Sequence, residues 1–266
     1  MRKSLVIATP VICAAGTVLR LLSLKNPSFP HVVIAGQEFS FAALLSILAL
    51  IFAIVVMVFT RKENGGETTA PKSAGAVLFA AAIALGFDAV QRVLENVLSS
   101  ADADAFAVIL GVFEFVSAVI IVVFACQIFT GFDFKYRLSL LLALIPLIWL
   151  LFKLSYEFLG YTRVANISDH YFHVLMTAST VMFLLYFFKS TAKGFTASTA
   201  SVVGLSLPAA LFSCMTVIPN TIVALTDKEV SFFDAVSGFD FACLLVAVFA
   251  VIVSAKLAFA QKNAND

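Results

Sequence analysis

The chain has 266 residues, of which 62% are hydrophobic and only 12% charged, with a mean hydropathy of +1.05 and a formal net charge of +1. That composition excludes a soluble globule and calls for a protein embedded in lipid. A spanning helix takes about 20 apolar residues, so the spans use most of the chain and leave no room for a soluble catalytic domain or a nucleic-acid-binding region.

Eight stretches are apolar enough to be spans: 4–24, 39–60, 73–98, 104–129, 137–158, 168–189, 198–225 and 231–260. The expected fold is an all-α polytopic transmembrane bundle of about eight helices. Span 1 follows Met1-Arg2-Lys3 and imitates a signal peptide, but its apolar run continues to Leu24 and reads as retained. A longer outer loop, Lys25 to Glu38, leads to span 2, which ends in Thr60-Arg61-Lys62. The segment from Arg61 to Lys72, with Gly65-Gly66 and Pro71, reads as the main cytoplasmic loop.

Span 3 carries Ala76, Ala80 and Ala84 at four-residue spacing, and Asp88, Arg92 and Glu95 continue the stripe. Small residues on one face permit close helix packing. The ionic groups then point inward, where Asp88 and Arg92 can pair at i, i+4. They either shape a cavity entrance or form a self-satisfied pair near the outer surface. Span 4 holds Phe113-Glu114-Phe115, which puts Glu114 about 15 Å deep and near the midplane of the hydrocarbon core. A carboxylate there costs about 2.5–3.5 kcal/mol on insertion scales, and such residues commonly couple to protons or cations. A structural hydrogen bond to a neighbouring helix is the plainer alternative.

Span 5 contains Pro146, a kink candidate, and then Trp149, Tyr156 and Tyr161, which are expected at the outer interface. Asp169-His170-Tyr171-Phe172-His173 opens span 6. His170 and His173 share a face at i, i+3 and are weak candidates for zinc ligands with Asp169 or Glu157; Asp169 as a helix N-cap is the simpler account. Span 7 carries Ser206, Pro208, Ser213, Thr216, Pro219, Asn220 and Thr221. Two prolines in one span remove backbone hydrogen bonds; discontinuous helices of this kind often contact substrates in transporters, with Asn220 a candidate ligand, and a simple kink that fits packing is an equal alternative. Span 8 repeats the acidic triplet as Phe239-Asp240-Phe241.

Glu114 and Asp240 are 126 residues apart, and the sequences around them resemble each other (GVFEFVSAVIIVVFA against SGFDFACLLVAVFA). We therefore expect two parallel four-helix repeats, residues 1–134 and 135–266, related by a pseudo-twofold along the membrane normal. Glu114 and Asp240 would lie at similar depth. Placing the N-terminus inside puts eleven of the seventeen Lys and Arg residues at cytoplasmic ends, which favours both termini in the cytoplasm. Most acidic residues then fall in the outer half, where they would attract cations.

The four cysteines, Cys13, Cys126, Cys214 and Cys243, are isolated in apolar runs, read as small core residues and form no CxxC pair. No nucleotide, hydrolase or zinc-protease motif occurs, and no cofactor is expected. In its longer loop after span 1, its Asn-Ile-Ser-Asp stretch before span 6 and its phenylalanine-rich spans, the chain resembles eight-span integral membrane proteins of low-GC bacteria. That resemblance implies a bundle in the bacterial inner membrane and no particular activity.

Three functions fit these residues. The first is a small-solute permease, with Glu114 and Asp240 binding a cation or proton, Asp88 and Arg92 shaping the entrance, and span 7 offering Asn220 and free carbonyls. The second is a non-transporting sensor, solute-capture or assembly subunit that works with another membrane protein. The third is a metal-dependent intramembrane enzyme using His170 and His173. The partners expected are the bilayer, a small-molecule or cation ligand and a membrane protein, but not nucleic acid.

Overall fold

The computed structural model describes residues 2–25, 31–34, 37–40, 70–98, 105–130, 138–161, 167–191, 199–226 and 236–260, with single positions between 44 and 55. Seven helices result: α1 (Arg2–Lys25), α2 (Lys72–Leu98), α3 (Ala105–Thr130), α4 (Leu138–Tyr161), α5 (Ile167–Thr191), α6 (Thr199–Thr226) and α7 (Gly238–Ala260). Each contains a stretch long and apolar enough to cross a membrane. Expected span 2 and the loop after it lie largely outside the described residues. Within the expected outer loop after span 1, β1 (His31–Ile34) pairs antiparallel with β2 (Gln37–Ser40), with Ile34 opposite Gln37. The membrane-embedded part is helical throughout among the described residues.

Six helices close a circuit. α2 packs on α3, α3 on α4, α4 on α5, α5 on α6, α6 on α7, and α7 returns to α2. α1 packs on α6 and α7. The span in α6 is 83% buried and the one in α1 only 28%, so α6 is the interior helix and α1 a peripheral one.

Lipid is as apolar as the side chains, so close backbone approach must hold such helices together. Glycines mark these approaches. A Cβ on Gly75 would lie 3.0 Å from the Ala125 carbonyl of α3, and one on Gly111 would lie 2.8 Å from Val93 of α2. The seam between α2 and α3 therefore follows Gly75, Ala82, Ala89 and Gly111, a rotation away from the expected Ala76 stripe. Ala76 is exposed, and Ala80 and Ala84 are half-buried. On α3 the buried face is Ala107, Leu110, Gly111, Glu114, Ser117, Ala118, Ile121 and Ala125, a 3.6-residue period. Phe113 and Phe115 face outward on either side of Glu114.

Three expectations need correction. Span 7 is not discontinuous: α6 runs unbroken from Thr199 to Thr226 through Pro208 and Pro219. Ser206, Thr216 and Thr221 donate their hydroxyls to the Val203, Phe212 and Val217 carbonyls, which satisfies these polar groups inside the helix. Trp149 is not interfacial but fully buried, edge-on to Phe239 at 5.9 Å. The cysteines are not all buried core residues: Cys126 is exposed. Nor are they isolated in space, since the thiols of Cys13 on α1 and Cys214 on α6 are hydrogen-bonded.

The packing is also less symmetric than two parallel repeats would make it. α2 lies along α7, while α3 and α6, the pair a twofold would make equivalent, are not comparably packed. Glu114 is the tenth residue of α3 and Asp240 the third of α7, so the two carboxylates differ in position along their helices.

Candidate functional site

The polar groups buried inside the circuit converge. On α2 the last turns carry Asp88 and Arg92, one helical turn apart on one face. Arg92 Nη2 donates to Asp88 Oδ2 at 2.9 Å. Arg92 Nε lies 3.5 Å from Glu114 Oε2 on α3, a charge contact without a hydrogen bond. Glu114 is completely buried, and among the described residues neither of its oxygens has a hydrogen-bond donor. It shares the Arg92 guanidinium with Asp88.

From α4 the Lys153 ammonium enters the same space. Nζ stands 3.8 Å from Asp88 Oδ2 and 3.6 Å from the centre of the Phe239 ring, with Trp149 at 5.8 Å. Its side chain is only 4% exposed. One turn further along α4, Glu157 accepts a hydrogen bond from Thr177 of α5 at 3.2 Å and lies in the field of Lys153, His173 and Asp240. His173 Nδ1 is 3.4 Å from Asp240 Oδ1.

The N-terminus of α7 completes the site. Ser237 and Asp240 form a reciprocal cap: the Ser237 N–H donates to Asp240 Oδ2 at 2.9 Å, and the Asp240 N–H donates to Ser237 Oγ at 3.2 Å. This helix end meets α2 at Asp88. Only glycine allows this contact, because a Cβ on Gly238 would lie 2.8 Å from the Ala84 carbonyl and 2.9 Å from Asp88 Cβ. Asp88 is thus the hub, neutralised by Arg92 and Lys153 and held by the positive end of α7.

Of the residues singled out in sequence, Asp88, Arg92, Glu114 and Asp240 come together here, and His173 joins them as the partner of Asp240. Glu114 and Asp240 do not face one another directly: they occupy two arms of one cluster joined through Asp88, Lys153 and Glu157. Glu95 lies outside the cluster, exposed and bonded by Gln91 at 2.8 Å. Asn220 is half-buried on α6 and makes no hydrogen bond to the cluster. The His170 side chain lies outside the described residues. Among the described residues no three His, Cys, Asp or Glu side chains converge to hold a metal. Lys153 and Thr177 carry no role in the sequence reading, Glu157 enters it only as a possible metal ligand and Trp149 only as an interfacial anchor. Their signal is present nonetheless, since Trp149, Lys153 and Glu157 recur every four residues along α4, as do His173 and Thr177 along α5.

The cluster carries unequal charge. Four carboxylates (Asp88, Glu114, Glu157 and Asp240) face two permanent cations, Arg92 and Lys153, with His173 at the edge. The carboxyl groups outnumber the Arg and Lys side chains by two. Such an excess in low dielectric is costly unless protons or other cations neutralise it. A groove of about 430 Å³ lined by Phe87, Val90, Gln91, Leu94, Glu95 and Leu98 runs along one face of α2. Its wall includes the exposed side chains of Phe87, Val90 and Leu94 rather than Asp88 or Arg92, so it is separate from the cluster. Comparison with known protein families, curated proteins and solved structures finds no match to this chain.

Proposed function

We propose that the chain is a small-solute permease of the cell membrane, driven by protons or cations, whose coupling site is the buried ionic cluster. One observation carries this reading: a completely buried Glu114 with no hydrogen-bond donor among the described residues, sharing the Arg92 guanidinium with a second carboxyl, that of Asp88. Two carboxyls gathered on one guanidinium can take up and release a proton, and Arg92 and Lys153 hold the charge left when the proton departs. Intramembrane carboxylates in contact with cations are the usual parts of proton relays. The cluster draws on residues from both halves of the chain, with Asp88, Arg92 and Glu114 before residue 134 and Lys153, Glu157, His173 and Asp240 after it. Coupling at this interface does not require the halves to be strict copies. Both termini in the cytoplasm fit the distribution of Lys and Arg.

A pH jump applied to proteoliposomes on a solid-supported membrane tests this reading without knowledge of the solute. Wild-type protein should give a transient current. Glu114→Gln, which keeps the shape but not the exchangeable proton, should reduce it to the level of empty liposomes. Equal currents in the two proteins would remove the coupling role.

A second reading is a non-transporting subunit. It draws on the α2 groove, whose apolar wall with Gln91 and Glu95 suits a helix of another membrane protein. Copurification of one fixed partner, lost on Val90→Trp, together with no pH-jump current, would favour it.

A further inference from the structure

The Lys153 head group has surroundings that would suit a free ammonium ion equally well. Below it is the face of Phe239 at 3.6 Å, to one side the Trp149 ring at 5.8 Å, and beside it Asp88 at 3.8 Å. The two rings stand nearly perpendicular, at 79°. Aromatic faces next to carboxylates are the usual chemistry for holding an organic cation. Lysine is also the cation best able to leave such a place, since its ammonium rides on a flexible four-carbon stem. Lys153 comes from α4, whereas the ring and the carboxylate beneath it come from α7 and α2.

The charge count points the same way. The four carboxyl groups outnumber Arg92 and Lys153 by two. That excess of acidic over basic side chains gives the cluster capacity for an added monovalent cation. The carboxylate that an ammonium ion in this position would meet is Asp88, 3.8 Å from the present Lys153 Nζ.

We infer that the cluster binds a small primary ammonium ion over Phe239, in the position that Lys153 Nζ now fills, so that Lys153 acts as a tethered competitor. The inference names the solute class for the permease reading and rests on it for its consequence, although binding can be measured without transport. Displacement of Lys153 toward Glu157 would leave its charge inside the cluster and preserve the count.

Trp149 is the sole tryptophan of the chain and lies against the site, so its fluorescence reports occupancy directly. Purified protein in detergent, titrated with ethylammonium chloride, should show a saturable change in Trp149 emission. Potassium chloride and tetramethylammonium chloride at equal ionic strength should not produce it. Lys153→Met, which keeps length and apolar packing, should bind ethylammonium about tenfold more tightly, and Phe239→Leu should bind it about tenfold more weakly. Phe239→Leu leaves every ionic partner in place, so it tests the site even if Lys153→Met does not fold. No saturable change in wild type, an identical response to potassium, or wild-type affinity in Phe239→Leu would each overturn the assignment. Saturable binding without any pH-jump current would keep the site and remove the permease. A proton current without ammonium binding would do the reverse.

Discussion

Asp88 shows how a membrane protein makes a buried charge tolerable. Its carboxylate receives Arg92 from its own helix and Lys153 from α4, and the end of α7 packs against it. A buried pair of this kind adds little net stability over an apolar core, but removing one partner strands the others. Asp88→Ala should therefore cost about 3–5 kcal/mol, because it removes the carboxylate that Lys153 contacts and one of the two that Arg92 contacts. Arg92→Ala should cost less, since the arginine side chain is a quarter exposed and its loss leaves Lys153 to neutralise Asp88. Thermal unfolding in detergent separates the two, and an equal loss would mean that Asp88 is not the hub. Gly238 is the backbone counterpart of Asp88. Gly238→Ala places a methyl against Ala84 and Asp88 and should destabilise by about 1–3 kcal/mol through overpacking. It should also weaken the ammonium response of Trp149, because Phe239 moves with the helix end. A Gly238→Ala protein with wild-type melting and wild-type emission would show that the close approach is unnecessary.

Among the helices, α6 differs most from expectation, and the reason is physical. A proline removes one amide and pushes on the carbonyl four residues back, which weakens a helix but does not end it when neighbours hold the backbone. α6 is enclosed by α1, α5 and α7, and this packing holds the chain helical through both prolines. Pro219→Ala should therefore keep the ammonium titration of Trp149 within twofold of wild type, and a large loss would mean that the Pro219 kink shapes the site after all. The other helices were legible to different degrees. The i, i+4 pairing of Asp88 with Arg92 and the burial of Glu114 follow from helical spacing and the cost of a charge in lipid. Lys153 was hidden by the orientation count, which assigns every lysine near a span end to water. Only tertiary packing places it under Phe239, although its four-residue spacing from Trp149 and Glu157 marked a shared face. Asp240 seemed as deep as Glu114 because its flanking phenylalanines match. The cap formed with Ser237 starts the helix just before it, and local capping chemistry overrode the apolar pattern.

At the scale of the whole molecule, the membrane character and seven of the eight expected spans were readable from apolar length, the remaining span lying largely outside the described residues, while the arrangement was not. Which helices touch depends on where glycines permit backbones to meet, and these contacts join segments far apart in the chain. α1 and α6 illustrate this. Gly16 sits against Leu211 and Met215 so closely that a Cβ would fall 2.8 Å from Leu211 and 2.9 Å from the Met215 sulfur. One turn earlier on α1, the Cys13 thiol is hydrogen-bonded to that of Cys214. Copper-phenanthroline should take two electrons from this thiol pair, release two protons and leave one disulfide between α1 and α6. In a Cys126→Ser, Cys243→Ser background the product should be an intramolecular crosslink that shifts gel mobility and removes both titratable thiols, and Cys13→Ser should abolish it. The cluster is built from α2, α3, α4, α5 and α7, with nothing from α1. The crosslinked protein should therefore bind ethylammonium with unchanged affinity. Failure to crosslink would refute the packing of α1 on α6. Crosslinking with loss of binding would mean that α1 has to move for the cation to reach Phe239, and would make the peripheral helix part of the entry route.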